Sequence, residues 1–370
     1  MKTLKEIEDI KDKKIFLRCD FNVPVTDGKI DDDYRIKKAL PTIHELREKG
    51  AKLILASHIE TEGNPTLAPV RDYLSKIFPV DFITDFFPED IAERVNVLPE
   101  GGVILLENLR KYSGEKANDE SFAKHLASFA DLYVDDAFAT AHRPHASIVG
   151  VPKFIQGFAG FLLTDEVTRL ASAFNAPHPF VFILGGAKFE TKLPLVSKFL
   201  GEADTLFIGG ALANDIYKAR GWNVGASKLS KDADVSAFAT NEKIAVPMEV
   251  VVKASAKQSE KSVKEIGDDE MILDASVKSL ELLRQKIADA KFILWNGPLG
   301  VFEEGFREST EALAKMIAES PAESIVGGGD TLSAIQSLHI EDKFSFVSTG
   351  GGAMLDFLAN GSLPGIDALG

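Results

Sequence analysis

The chain alternates short apolar runs with longer stretches of helical periodicity from one end to the other. The apolar runs are rich in Val, Ile, Leu and Phe and occupy positions 14–18, 52–56, 103–106, 180–184, 205–208, 292–295 and 324–326. Such runs, without regular polar alternation, are typical of strands buried on both faces of a parallel sheet. Helical periodicity marks residues 35–48, 119–129 and 310–318. The alternation predicts an α/β protein with doubly wound, Rossmann-like parallel sheets.

The two halves of the chain end their strands differently, and this difference predicts two domains. Apolar runs of the first half end at Asp, Asn, His and Arg, whereas those of the second half end at glycine clusters. The helical stretch between the halves is closed by Asn175-Ala176-Pro177, where proline stops a helix. We therefore predict domains over residues 1–160 and 177–352, a connecting helix over residues 161–176 and a tail over residues 353–370.

Composition narrows the class of protein. The 370 residues carry 42 Lys and Arg against 56 Asp and Glu, a net charge of −14, which argues against a general binder of nucleic acid or acidic membranes. Cys19 is the only cysteine, so the chain cannot form an internal disulfide or a thiolate metal cluster. The charged N-terminus does not resemble a signal peptide, and no run approaches the ~18 apolar residues of a membrane span. These features favour a cytoplasmic protein.

A cluster of polar and basic residues follows the strands of the first half. Its members lie at or just after predicted strand ends, except for one that opens a helix: Arg18, Asp20, Asn22, Arg35, His58, Arg110, His142, Arg143 and His145. Any one of them alone is better interpreted as a solvated or capping group. As a set at one sheet edge they predict a site for a carboxylate or phosphate, since the arginine fork matches both anions. His142 and His145 lack a third ligand at sensible spacing, so metal ligation is the weaker interpretation.

Glycine clusters follow the strands of the second half. They are Gly185-Gly186, Gly209-Gly210, Gly297-Pro298-Leu299-Gly300, Gly327-Gly328-Gly329 and Gly350-Gly351-Gly352. Glycine lets backbone N–H groups approach phosphate, and a following helix N-terminus adds positive partial charge. Lys188 and Lys192 are four residues apart, so on a helix they share one face. The P-loop and G-x-G-x-x-G signatures are absent, and the pattern predicts phosphoryl transfer across a cleft between an acid site and a nucleotide site.

The chain also resembles the phosphoglycerate kinase family over nearly its whole length. Seven stretches carry the resemblance in the family's order: Arg18 to Pro24, Leu106 to Arg110, Asp136 to Arg143, Leu184 to Lys188, Trp295 to Glu303, Gly327 to Thr331 and Ser348 to Ala353. The resemblance implies reversible transfer of the acyl phosphate of 1,3-bisphosphoglycerate to MgADP, giving 3-phosphoglycerate and ATP. It further implies a monomer whose tail returns to the first domain, and domains that close for transfer.

The resemblance also implies a role for each matching residue. Asp20, Asn22, Arg35, His58, Arg110 and Arg143 would bind the triose, and Arg35 would also contact the transferring phosphoryl group. The residues implied for the nucleotide are Gly186, Lys188, Lys192, Gly210, Asn296, Glu303, Gly327, Gly328, Gly329, Asp330 and Thr331. Within that set, Glu303 would bind the ribose and Asp330 would approach Mg²⁺. Lys188, Gly351 and Gly352 would join Arg35 at the transition state, where cations and N–H groups stabilise spread charge.

The loop after His58 departs from the family pattern. Ile59-Glu60-Thr61-Glu62 replaces Leu-Gly-Arg-Pro, so Thr61 stands where a triose-binding arginine is usual. Loss of one charge-assisted hydrogen bond costs about 1.5–3 kcal/mol of binding free energy. The carboxylates of Glu60 and Glu62 would increase that loss, because they repel an anionic ligand. We expect weakened 3-phosphoglycerate binding that Thr61→Arg, with Glu60→Gly, would improve. The departure also leaves two alternatives open, a nucleotide-binding regulatory relative and a kinase of another small acid.

Overall fold

The computed structural model describes residues 1–60, 63, 65–87, 91–189, 192–231, 234–255 and 257–370. Thr61, Glu62 and Thr191 therefore lie outside the described residues. The described chain divides into two compact units. The first unit is Met1–Thr168 together with Asn360–Gly370, and the second unit is Arg169–Ala359.

The first unit is built on a six-stranded parallel sheet in the order β5-β6-β4-β1-β7-β8. Its strands and one small hairpin are β1 Lys14–Cys19, β2 Val25–Thr26, β3 Lys29–Ile30, β4 Lys52–Ala56, β5 Asp81–Ile83, β6 Val103–Leu106, β7 Leu132–Asp136 and β8 Gly157–Ala159. In the central strand, Ile15, Phe16 and Leu17 are all fully buried. Burial of successive side chains requires cover on both faces of the sheet, which explains the continuous apolar runs.

Helices cover this sheet. They are α1 Tyr34–Glu48, α2 Ala68–Leu74, α3 Ile91–Asn96, α4 Ser113–Ala117, α5 Glu120–Ala127 and α6 Phe161–Ala171. Helix α1 buries Ile36, Ile43 and Leu46 on one face, in agreement with its predicted period. Helix α6 continues as a 3-10 helix over Ser172–Asn175, and the division between the units falls inside α6.

The second unit repeats the plan with the sheet order β11-β10-β9-β15-β16-β17. Its strands are β9 Phe180–Leu184, β10 Thr205–Ile208, β11 Ile244–Ala245, β12 Glu249–Ala254, β13 Lys257–Ser262, β14 Met271–Ala275, β15 Phe292–Asn296, β16 Glu323–Gly327 and β17 Phe346–Val347. Its helices are α7 Leu193–Glu202, α8 Ala211–Ala219, α9 Ser236–Ala239, α10 Glu281–Asp289, α11 Glu308–Ala318, α12 Gly329–Ser337 and α13 Gly351–Asn360. The two six-stranded parallel sheets confirm the predicted α/β fold class.

One feature of the fold differs from the sequence-based expectation. Strands β12, β13 and β14 form a separate antiparallel sheet that the apolar pattern did not predict, because β13 is polar throughout. Helix α13 groups with the second unit as far as Ala359, and Asn360–Gly370 group with the first unit.

The tail ends in helix α14, Pro364–Asp367. The N–H of Gly365 donates to the carbonyl of Ala141 at 2.8 Å, so the tail packs on the first unit. Among the described residues, no helix combines the length and the hydropathy that crossing a bilayer demands.

Candidate active site

The sheet order of the first unit brings the predicted basic residues to one edge. Strands β6, β4, β1 and β7 are parallel neighbours, so their carboxyl ends lie side by side. Asp20 follows β1, His58 follows β4, Arg110 follows β6 and Arg143 follows β7. Arg35 lies in the first turn of α1 and reaches the same edge through Asp20. The topology therefore brings polar and basic side chains from four separate strand ends to one edge of the sheet.

Arg18 is a buried support beneath this edge, with 1% of its surface exposed. Its Nε donates to Ser147 Oγ at 2.9 Å, and a guanidinium nitrogen donates to the carbonyl of Cys19. Ser147 in turn donates its hydroxyl to Glu115 at 2.6 Å. A buried charge is tolerated only where such partners satisfy it. Arg18 consequently contributes charge to the site from a fixed position.

Arg35 and Asp20 form the best defined ion pair at the edge. The guanidinium of Arg35 lies 2.6 Å from Asp20 Oδ2, and the other oxygen of Asp20 accepts from the N–H of Asn22 at 3.1 Å. Asn22 Oδ1 accepts from the N–H of Glu60 at 2.8 Å. Because each group is held by the next, the side chain of Arg35 is oriented before any ligand binds.

Electrostatic effects show that the arginines converge on the histidines. Burial, followed by the charges of Arg18, Arg110, Arg143 and Arg35, holds the pKa of His58 well below its usual range. The same edge lowers the pKa of His145 to about 4, through burial and then Arg110, Arg143 and Arg18. Both imidazoles are therefore neutral at pH 7 and can act as hydrogen-bonding groups without charge. Cations packed this closely repel one another, and an anionic ligand relieves that repulsion.

Arg110 is the most perturbed cation of the set. Burial, followed by the charges of Arg143 and Arg18, lowers its pKa to about 10. Its guanidinium makes an ion pair with Glu60, and across the described chain its nitrogens have no hydrogen-bonding acceptor besides that carboxylate. Nε of Arg143 donates to His142 Nε2 at 3.4 Å. In the described ranges, no group of three His, Cys, Asp or Glu side chains is arranged to hold a metal ion.

The glycine clusters of the second unit follow the carboxyl ends of β9, β10, β15, β16 and β17. A Cβ on Gly185 would lie 2.2 Å from the carbonyl oxygen of Pro298, so only glycine fits there. Gly210 has φ +62°, and a Cβ on it would lie 2.6 Å from the backbone nitrogen of Gly186. Close backbone approach and a left-handed conformation thus explain the two clusters that meet at this edge.

A cavity of about 380 Å³ opens beside these turns. Four of the residues that the sequence singled out line this cavity: Gly186, Gly210, Glu303 and Asp330. Its apolar wall, which the sequence did not reveal, includes Ala213, Tyr217, Pro247, Val250, Leu273 and Leu299. These residues look like ordinary core positions in the sequence, since only the fold shows that they border open space. The combination of an apolar wall and a polar mouth suits a nucleoside.

A second cavity of about 270 Å³ adjoins the first and shares Gly186, Pro298 and Asp330 with it. It adds the predicted residues Lys192, Asn296, Gly328, Gly329 and Gly351. Lys188 lines a third cavity of about 150 Å³ with Lys228 and Lys231. Neither of the last two lysines was singled out in the sequence, although Lys228 also borders the first cavity.

Two charged groups in these cavities are perturbed. Lys192 donates its Nζ to the carbonyl of Gly185 at 2.7 Å, and burial lowers its pKa to about 8. Burial, together with the nearby carboxylate of Glu303, raises the pKa of Asp330. A cation beside Asp330 and Glu303 would relieve their mutual repulsion, so these carboxylates fit a divalent metal ion.

Three predicted nucleotide or transition-state residues do not line these cavities. Gly327 packs against Met354, because a Cβ there would lie 2.3 Å from the methionine sulfur. Thr331 is fully buried, and its Oγ1 accepts from the N–H of Gly297 at 3.0 Å. Gly352 lies in the first turn of α13, directly after the cavity residue Gly351. Gly327 and Thr331 therefore lie behind the second cavity and support the turns whose other residues line it.

Comparison with known proteins identifies the family to which the chain is similar over nearly its whole length. The sequence model of the family described as phosphoglycerate kinase matches residues 4–361. The chain is 43% identical to a phosphoglycerate kinase of Dictyoglomus turgidum over 385 residues, covering 98% of this chain and 96% of the relative. It is 42% identical to one of Clostridium tetani over 393 residues, covering 100% of this chain and 97% of the relative.

Solved structures give the same result. The chain matches the structure of phosphoglycerate kinase from Coxiella burnetii with a TM-score of 0.84 and 37% identity, covering 99% of this chain and 98% of that chain. It matches the enzyme from Pyrococcus horikoshii with a TM-score of 0.86 and 33% identity, covering 100% of this chain and 98% of that chain. The family match and the full-length identities establish that the chain belongs to the phosphoglycerate kinase family.

Proposed function

We propose that the arginine cluster of the first unit binds 3-phosphoglycerate and 1,3-bisphosphoglycerate, and that the cavities of the second unit bind ADP and ATP. As a family member, the chain has phosphoglycerate kinase activity and is a phosphotransferase with a carboxyl acceptor, acting in glycolysis and gluconeogenesis. The observation that carries the acid assignment is that four arginines act on the single buried imidazole of His58.

The acid site works through complementary charge. Arg110 and Arg143 offer guanidinium forks to the carboxylate and phosphate of the triose, since arginine pairs with either anion at two points. Arg35 is aimed by Asp20, whose carboxylate lies 2.6 Å from its guanidinium. Neutral His58 and the amide of Asn22 supply uncharged hydrogen bonds that orient the substrate's hydroxyl group.

The nucleotide site divides into an apolar part and a phosphate part. The base lies against the wall that contains Tyr217, Pro247 and Leu273, and Glu303 at the mouth accepts from the ribose hydroxyls. The phosphates bind where Lys192 and the N-terminus of α12 at Gly328 and Gly329 border the smaller cavity. A helix N-terminus presents free N–H groups and positive partial charge to such anions.

Phosphoryl transfer needs no covalent intermediate on the protein. A β-phosphate oxygen of ADP attacks the acyl phosphorus, the bond to that oxygen forms as the acyl P–O bond breaks, and the carboxylate of 3-phosphoglycerate leaves. Charge spreads over the equatorial oxygens of the transferring group. Arg35, Lys188 and the N–H groups of Gly351 and Gly352 stabilise that charge, and excluding water prevents hydrolysis of the acyl phosphate.

Asp330 is the residue that we propose holds Mg²⁺. Its raised pKa, caused by burial and by Glu303, indicates negative charge that a cation would stabilise. When bound, Mg²⁺ neutralises the nucleotide phosphates and fixes their geometry.

We also propose that the chain acts as a cytoplasmic monomer. Sedimentation equilibrium at micromolar concentration should give 40.2 kDa, and a stable dimer would contradict the monomer.

Steady-state kinetics of matched variants test the division of labour. Arg143→Ala should raise the KM for 3-phosphoglycerate about 10–150-fold, the cost of about 1.5–3 kcal/mol for a lost charged hydrogen bond, and leave the KM for ATP unchanged. Arg71→Ala, which removes an arginine paired with Asp72 on another part of this unit, is the control. Lys188→Ala should lower kcat. If Arg143→Ala raised the KM for ATP and not for the acid, the assignment would be overturned.

A further inference from the structure

The carboxylate of Glu60 lies where the proposed acid site expects its ligand. It makes an ion pair with the guanidinium of Arg110. The side chain of Arg110 is only 6% exposed, whereas that of Glu60 is 51% exposed. One partner is therefore fixed in the protein, and the other reaches it from the solvent side. This is the direction from which a dissolved carboxylate would approach.

The backbone around Glu60 makes this contact a defined feature of the fold. The N–H of Glu60 donates to Asn22 Oδ1 at 2.8 Å. Asn108 Oδ1 accepts from the N–H of Ile59 at 3.2 Å and from the N–H of Arg110 at 3.1 Å. One buried amide thus joins the segment that carries the carboxylate to the segment that carries the arginine, so the two side chains are held within reach.

A second cation offers the carboxylate of Glu60 an alternative ionic partner. Lys116 Nζ lies 3.8 Å from the same oxygen of Glu60 that pairs with Arg110, and its side chain is 61% exposed. Glu60 can keep an ionic partner at Lys116 while it releases Arg110. Such an exchange needs a rotation of an exposed side chain and no change in the sheet.

We propose that Glu60 is an internal competitor that occupies Arg110 in the empty site and that an acid substrate must displace. The inference rests on the proposed acid site. Glu60 thereby sets the affinity of the first unit for small acids, and favours ligands that carry enough negative charge to replace it. A carboxylate that merely braced Arg110 would have the opposite effect, because its removal would loosen the arginine and weaken substrate binding.

The size of the effect follows from the exposure of the pair. Because half of the Glu60 side chain remains exposed, solvent screens the pair, and it closes with the equilibrium constant of a surface ion pair, about 1.4–5. A site that is competent only when such a pair is open has its apparent affinity reduced by the open fraction. Removal of the charge at Glu60 should therefore strengthen 3-phosphoglycerate binding about two- to sixfold.

Calorimetric titration of the full chain with 3-phosphoglycerate tests the proposal, with Glu60→Gln as the variant. The expected result is a two- to sixfold lower Kd and KM for the acid and an unchanged Kd for MgADP. Glu48→Gln, at the exposed end of α1, removes the same charge elsewhere in the unit and should change neither value. An unchanged or raised Kd for the acid in Glu60→Gln would overturn the proposal.

Two further variants separate the possible failures. If Arg110→Ala binds 3-phosphoglycerate as tightly as the parent chain, the proposed acid site itself is wrong. If Arg110→Ala weakens binding but Glu60→Gln does not strengthen it, only the role of Glu60 is wrong. Lys116→Gln removes the alternative partner, so it should raise the Kd in the parent chain and change it less in the Glu60→Gln background. Equal effects in both backgrounds would contradict the exchange.

Discussion

The buried ammonium of Lys192 should make nucleotide binding depend on pH in a range where the nucleotide itself does not titrate. Burial lowers the pKa of Lys192 to about 8, so a large part of the free protein carries a neutral amine above that pH. Phosphate binding requires the charged form. Its population falls roughly tenfold between pH 7 and pH 9 for a group of this pKa, whereas phosphate groups with a second pKa near 6 stay fully ionised.

The expected result is a Kd for MgADP about tenfold higher at pH 9 than at pH 7. Calorimetry at pH 8 in two buffers of different ionisation enthalpy should show uptake of about 0.5 proton, as expected when half of a group is protonated before binding. Lys192→Arg keeps its charge throughout this range, so its Kd should change much less with pH. A pH-independent Kd, with no proton uptake in the parent chain, would refute the role given to Lys192.

Three further predictions concern the supports of the two sites. Gly210→Ala should lower the free energy of unfolding by about 1–3 kcal/mol and weaken MgADP binding, because its Cβ would press on neighbouring backbone. Urea titration measures the change in stability. The control is Gly201→Ala, because a Cβ at Gly201 would meet open space. Ser147→Ala should lower the free energy of unfolding by about 1–3 kcal/mol, since buried Arg18 loses its Nε partner. Burial raises the pKa of Asp136 from 3.8 to about 7, so its contribution to stability falls as pH rises from about 3.8 to 7. Asp136→Asn should flatten that dependence in denaturation curves, and an unchanged slope would contradict it.

The sheets could be predicted from the sequence because their strands are buried on both faces. Runs such as Phe180–Leu184 have no polar residue and form central strands. Strand β13 shows why the antiparallel sheet was missed. Its sequence KQSEKS has no apolar residue, and it is held by backbone pairing with β12. Pairing of that kind leaves little trace in hydropathy.

The residues of the candidate sites also divide into those that the sequence reveals and those that only the fold reveals. Charged residues such as Arg110 and Arg143 stand out at strand ends, because charge is unusual next to buried strands. Tyr217 and Leu273 border the largest-volume cavity described above, of about 380 Å³, yet they resemble core residues, since apolar side chains give no sign of facing open space. The pairing of Glu60 with Arg110 depends on how two loops are joined through Asn108, and this contact appears only in three dimensions.

The division of the substrates between the two units is tested most directly by paired calorimetric titrations on the full-length chain. One variant, Arg35→Ala, removes a cation of the first unit, and the other, Lys192→Met, removes a cation of the second. Arg35→Ala should weaken 3-phosphoglycerate binding and leave MgADP binding intact, and Lys192→Met should do the reverse. If either variant lost both ligands equally while remaining folded by circular dichroism, or if the losses were exchanged, the assignment of the acid and the nucleotide to separate units would be contradicted.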